Sequence, residues 1–395
     1  MTGGWSRWAD KMAGMPPLSI PPRSILLALT WYDHRIHAGV ARFALEHGWN
    51  LDARMANSKE ALTDWSGDGV VCKLGCSTPD PGLHAFVRDL RLPLVDMSFF
   101  HQGLRKTTMV EFDNHAVARL ATEHFLGRGI RNFAYFPATA SLSVADRREC
   151  FCAELKRRGH ALHPLAPCPG HWSEAEGDLG RQLAALPGPV GVLCFNDNYG
   201  VKVLHAAARA GLRVPEQVAI LGIDNNALVC EHLATPLSSV VLDMEAQGYR
   251  AAEELQRLMD DRRAAPRTVF LPPAGICVRR STDHVATDHT GVSAAVRFIH
   301  DQFRQPIQVE DVAGAARMAR SSLKQAFQDE LGRSVTDEIE RIRMQEACRL
   351  LAETGLKLSV VAQRAGLNNE RRLLRCFRTR LGMTPHAYRT SRGGM

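Results

Sequence analysis

The sequence predicts a two-lobed α/β region built on parallel sheets, followed by an all-α domain with two helix-turn-helix units. Three observations lead there. From Ser24 to about residue 283, short apolar runs alternate with amphipathic stretches, the pattern of strands joined by crossover helices. Beyond that point β-branched runs give way to helix signals. The charge balance changes at the same place: residues 286–395 hold 18 Lys and Arg against 12 Asp and Glu, whereas the first 285 residues hold 31 against 30.

A chain of 395 residues, 45% hydrophobic and 23% charged, fits a soluble protein of more than one domain. The net charge of +7 sits in the C-terminal part, which points to a polyanionic partner for that part alone. Residues 1–22 lack a continuous apolar core and end in prolines, so they predict a flexible extension and no secretory signal. No run approaches the ~20 apolar residues that span a bilayer. The expectation is a cytoplasmic protein with no membrane partner. Cys72 and Cys76, or Cys150 and Cys152, have no matching Cys or His pair at zinc-site spacing. Reduced thiols, no metal and no cofactor are expected.

Candidate strands are SILLAL (24–29), GVVCKL (69–74), LPLVDMS (92–98), NFAYFPA (132–138), GVLCFND (191–197), VAILGID (218–224) and LSSVVLD (237–243). In open α/β sheets ligands bind beyond the carboxyl ends of strands. That rule selects Asp33, Ser98, Phe99, Phe100, Asn196, Asp197 and Asp224. Carboxylates and amides there can bond adjacent hydroxyls, and aromatics such as Trp31, Tyr32 and Phe99 can cover a sugar ring. Taken singly, each Asp or Asn is more simply a helix cap. Several together favour a polar small-molecule site. No GxSxG, HExxH, Walker A or strand-following GxGxxG motif is present, so no enzyme is expected. An enzyme with a nucleic-acid-binding tail remains the rival reading, and a sensor for a different ligand a third.

The polar stretch HVATDHTG (284–291) marks a linker between a sensor over 23–283 and a helical domain over 292–395. Two similar units follow, VEDVAGAARMARSSLKQAFQDELG (309–332) and LSVVAQRAGLNNERRLLRCFRTRLG (358–382). Each has a short apolar-faced helix, a turn and a basic helix ending in Phe and Leu-Gly, the helix-turn-helix pattern. Residues 335–354 read as one long helix, with Ser334 and Asp337 as its capping box and Ile339, Ile342 and Leu350 on its buried side. Thr384 and Pro385 open a last helix. The second helix of each unit is expected in the major groove, presenting Arg320, Ser321, Ser322, Lys324 and Gln325, and Glu370, Arg371, Arg372 and Arg375. Arg378 and Arg380 are expected on phosphates.

The stretch from Ala347 to Arg389, with LKLSVVAQRAGL and LRCFRTRLGMTPHAYR, resembles the signature of AraC/XylS-family transcriptional regulators. Where that family carries an aromatic and a Tyr-Phe pair, this chain has Leu367 and Arg372-Leu373. The front part is similar to the periplasmic-binding-protein-like sensor of LacI-type repressors, on WYDHRIHAGVARFA (31–44), WSGDGVV (65–71), VPEQVAILGIDNN (214–226) and RRSTD (279–283). The resemblance implies a sugar site between two lobes, with Arg148, Asn196 and Asp224 as polar clamps and Asp197 as a further clamp, hinge or cap. It also implies a monosaccharide effector, D-xylose in particular, double-stranded promoter or operator DNA, a homodimer, an activating role and RNA polymerase as a further partner.

Overall fold

A computed structural model describes residues 22–57, 65–74, 81–98, 107–138, 142–166, 172–261, 263–283 and 289–392. The N-terminal extension, Phe99, Phe100 and most of the expected linker lie outside them. Among the described residues twelve strands run in chain order. The first six are β1 (Ser24–Leu29), β2 (Asn50–Asp52), β3 (Gly69–Lys73), β4 (Leu94–Asp96), β5 (Thr108–Phe112) and β6 (Asn132–Phe136). The others are β7 (Leu162–Pro164), β8 (Val190–Cys194), β9 (Val218–Ile223), β10 (Ser238–Val241), β11 (Thr268–Leu271) and β12 (Gly275–Cys277).

The chain forms two compact units. The first comprises the chain up to Asp113 and Asp243–Pro272. Its six-stranded sheet has the order β11-β5-β4-β3-β1-β2, every pair parallel. Leu26, Ala28, Val70, Cys72 and Leu74 form a core on one face of it. Gly39, in the helix His34–Glu46, is a packing requirement. A Cβ there would lie 2.0 Å from the carbonyl oxygen of Glu245 on the helix Met244–Asp260.

The second unit holds Asn114–Ala140, Val144–Leu242 and everything described from Pro273 on. Its sheet has the order β12-β10-β9-β8-β6-β7, parallel except for β12 against β10. The strands read from the sequence are present, some shorter than expected. Those not read differ in their reasons: β2 and β7 are only three residues long. β5 carries Glu111, buried at 4% exposure, which breaks its apolar run. β11 and β12 are part-exposed or edge strands with weak patterns. Among the described residues no helix is long and apolar enough to cross a membrane.

The helical domain follows the sequence closely. Helices run Thr290–Gln302, Val309–Ala316, Arg320–Leu331, Val335–Glu353, Leu358–Arg364, Glu370–Leu381 and Pro385–Arg392. The Ser334/Asp337 capping box is present. Val335–Glu353 serves two cores at once. Its Ile339 and Ile342 pack with Val312, Leu323 and Phe327; its Ala347, Leu350 and Leu351 pack with Val361, Leu367, Leu373 and Phe377. Leu367 and Leu373 are fully buried, so the residues that depart from the AraC/XylS pattern still fill the core. The turn of the second unit requires Gly366, at φ +71, where a Cβ would meet the Phe303 carbonyl oxygen at 2.3 Å.

Candidate functional site

Open sheets bind ligands where strand order reverses. In the first unit that point lies between β1 and β3, and in the second between β6 and β8. In the first unit the selected residues are occupied locally. Asp33 caps the helix His34–Glu46, accepting from Arg35 N at 2.9 Å and pairing with Arg35 Nη2 at 2.8 Å. Burial would push its carboxyl up, but the Arg35 bonds and charge hold it below the usual range. Ser98 donates through Oγ to Asp96 Oδ1 at 2.7 Å. Asp96, not singled out from the sequence, is fully buried. That burial pushes its carboxyl up to about 7 despite bonds from Ser98 and from Leu74 N.

In the second unit the selected residues converge. Asn196 ends the turn after β8 and caps the helix Asp197–Arg209, its Oδ1 accepting from Tyr199 N. Asp197 is buried, and both its oxygens are taken: Oδ1 by Ser239 Oγ at 2.5 Å, Oδ2 by Asn226 N at 2.7 Å. Burial first, and then the charge of Asp224, push Asp197 up to about 7. It braces the turn after β9 against β10, so of the roles left open for it the local one is what its contacts show. That turn is strained. Asp224 sits at φ +106 and Asn225 at φ +48, a backbone that side-chain-bearing residues rarely adopt and that recurs at ligand sites.

The arginine differs from expectation. Arg148 is exposed on the helix Leu142–Arg157. Arg147 is half-buried instead, donating to Asn114 Oδ1 at 3.2 Å and to the Phe195 carbonyl oxygen at 2.6 Å, next to Asn196. Its guanidinium stacks 5.1 Å from the Phe195 ring centre. Helical spacing carries the signal: Phe151 and Leu155, at successive four-residue steps from Arg147, are fully buried.

In the helical domain Arg320, Ser321, Ser322, Lys324 and Gln325 are exposed on their helix, as are Glu370, Arg371, Arg375 and Arg378 on theirs. Arg320 also pairs with Glu310 at 2.6 Å, and Gln325 with Asp329 at 2.8 Å. Arg372 stands apart. It is half-buried and its Nη2 lies 3.1 Å from Glu340 of the long helix. Arg380 shares that carboxylate at 3.1 Å. Arg372 therefore braces one helix on another, whereas it was expected to face bases.

Comparison with known proteins agrees with both halves. A family model for a periplasmic binding protein-like domain matches residues 122–282, and one for a helix-turn-helix domain matches residues 312–391. The xylose operon regulatory protein of Escherichia coli (strain K12) is 27% identical over 373 residues, covering 91% of this chain and 94% of that protein. Its namesake in Haemophilus influenzae is 26% identical over 371 residues, covering 91% and 95%. This chain is a DNA-binding transcriptional regulator, similar over nearly its whole length to xylose operon regulatory proteins. The solved structure described as the xylose-binding transcription activator xylR shares its fold, with a TM-score of 0.68 at 24% identity, over 94% of this chain and 98% of that one. The regulator is thus not an enzyme.

The regulator's helical domain is tied to the rest of the second unit by ion pairs that sequence reading did not reveal. Asp283 Oδ1 pairs with Arg341 Nη2 at 2.8 Å, and its Oδ2 faces His300 Nε2 at 3.3 Å. Burial would push Asp283 up, but His300, Arg341 and Arg128 outweigh it and hold the carboxyl at about 2. Arg341 also pairs with Glu338 at 2.6 Å. Further out, Arg297 pairs with Glu216 at 2.7 Å and Arg349 with Glu231 at 2.9 Å.

Proposed function

We propose that the regulator answers to a monosaccharide, D-xylose first among them, and activates a sugar-utilisation operon in the cytoplasm as a homodimer that engages RNA polymerase. The observation that carries this reading is the strained Asp224–Asn225 turn after β9, next to Asp197, while Asn196 follows β8 and Arg147 lies on the helix after β6. Asp224 and the Asn196 amide supply the polar pair that bonds adjacent hydroxyls, with Arg147 as a cationic donor. Asp33 and Ser98 remain candidates from the first unit, each acting through a group already engaged locally. Calorimetric titration with pentoses and hexoses tests the reading, together with gel-shift binding to DNA upstream of the regulator's own gene. A pentose is expected to bind and to change the DNA affinity; a panel without a binder defeats the proposal.

For the DNA interface we propose Arg371 and Arg375 with Glu370 in the second unit, the exposed Arg320, Ser321, Ser322, Lys324 and Gln325 in the first, and Arg378 on phosphate. Arg371→Ala is expected to cost about 1–3 kcal/mol on the preferred site and to relax base preference there. Arg372→Ala is expected to leave base preference unchanged and to lower stability instead, because it strips Glu340 of a half-buried partner. Binding to a library of single-base operator variants separates the two. Uniform weakening by Arg371→Ala would make that side chain a phosphate contact.

A further inference from the structure

The turn that carries Asp224 is connected, within the second unit, to the helix that joins the two helix-turn-helix units. Asn225 Oδ1 accepts from Arg279 Nη1 at 2.8 Å. Arg279 is 7% exposed, and its Nη1 also donates to the Leu237 carbonyl oxygen at 3.0 Å. Its Nη2 meets Glu231 Oε1 at 3.3 Å. The same Glu231 oxygen accepts from Arg349 Nη1, at 2.9 Å, on the helix Val335–Glu353. Arg349 continues to Glu346 at 2.8 Å, and Glu346 to Arg304 at 2.9 Å.

Glu231 is reached from the turn by a second route. Asn226 caps the short helix Ala227–Cys230, and Glu231 is the residue that closes it. A shift of residues 224–226 therefore moves Arg279 through Asn225 and moves Glu231 through its own helix. Both routes meet at one carboxylate held between guanidinium groups from two parts of the chain. The side chains of Arg279, Glu231 and Arg349 are 4%, 23% and 22% exposed, so solvent and salt screen these pairs less than surface ones. The Asp283 cluster differs: its partners His300, Arg341 and Arg128 do not include the turn residues, which suits a fixed anchor.

We propose that Glu231 is a positioning residue that converts effector occupancy at the Asp224 turn into placement of the helix joining the two DNA-binding units. This rests on the sugar reading above. The ligand acts by favouring one arrangement of the turn, and the Arg279–Glu231–Arg349 pairs pass that preference to the helix. Linkage makes the coupling reciprocal: DNA must tighten or loosen sugar binding by the factor by which sugar changes DNA binding.

The test uses the full chain with Glu231→Gln and, separately, Arg349→Met. Sugar affinity is measured by calorimetry with and without operator DNA, DNA affinity by gel shift with and without sugar, and folding by the unfolding midpoint. Wild type is expected to show a coupling factor of about 5–150. Each variant is expected to bind sugar alone within about twofold of wild type and to keep its midpoint, with the coupling factor falling close to one. Combining the two is expected to add no further loss, as for members of one connection. Wild-type coupling in Glu231→Gln would overturn the inference. So would weaker DNA binding by the same factor with and without sugar, the mark of a merely structural brace. A wild-type chain that binds no sugar would defeat the functional proposal itself, and this inference with it.

Discussion

Asp283→Asn is expected to destabilise the second unit by about 2–3 kcal/mol, because it removes the buried carboxylate shared by Arg341 and His300 and leaves Arg341 only Glu338. Asp283 is buried, with His300 at 3.3 Å and a quarter-exposed Arg341 at 2.8 Å, so solvent recovers only part of the loss. Urea unfolding followed by circular dichroism measures it; a loss below about 1 kcal/mol would place the anchor elsewhere. The sign of the pH dependence follows from the held-down carboxyl. Its stabilisation is complete above the ordinary Asp value of 3.8 and fades as pH falls through about 2. Wild type is expected to lose about 2–3 kcal/mol more than Asp283→Asn over that window. Parallel acid profiles of the two chains would remove Asp283 from the account.

Asp224→Ala is expected to weaken sugar binding by about 10–150-fold, the worth of charge-assisted hydrogen bonds of about 1.5–3 kcal/mol. DNA binding without sugar is expected to stay as in wild type, because the Asp283 anchor and the exposed DNA-facing helices do not involve Asp224. Calorimetry with D-xylose and gel shift without it provide the two readings. The substitution also removes the like charge beside Asp197, so the Asp197 carboxyl is expected to titrate below its present value of about 7. An unchanged sugar affinity would take Asp224 out of the site.

The helical domain was legible almost residue by residue because its signals are local. Helix caps, Leu-Gly stops and apolar spacing lie within a few residues of what they specify, as Ser334 with Asp337 and Gly332 at its positive φ show. The alternating α/β order was legible for the same reason. The sequence pointed to Arg148, which is exposed, whereas the neighbouring Arg147, on the face of Phe151 and Leu155, is the one held against Phe195 and Asn114. The strand ends were read as polar ligand groups or as caps; Asp33 and Asn196 are caps, and after β9 the cap is Asn226, two residues beyond Asp224.

What the sequence determined by itself was the order of elements, the two helix-turn-helix units and the set of strand ends from which a site can be built. Those depend on patterns that repeat within a helix or a strand. Only the tertiary structure decided which charges are used up and which are left. Arg372 and Arg371 are neighbours in sequence, yet one is held by Glu340 and the other is exposed. Asp197 is spent on Ser239 and Asn226, and Glu231 joins Arg279 to a helix 118 residues further along the chain. Pairings at that separation leave no local pattern, because an ion pair needs two charges close in space and sets no spacing between them in the chain.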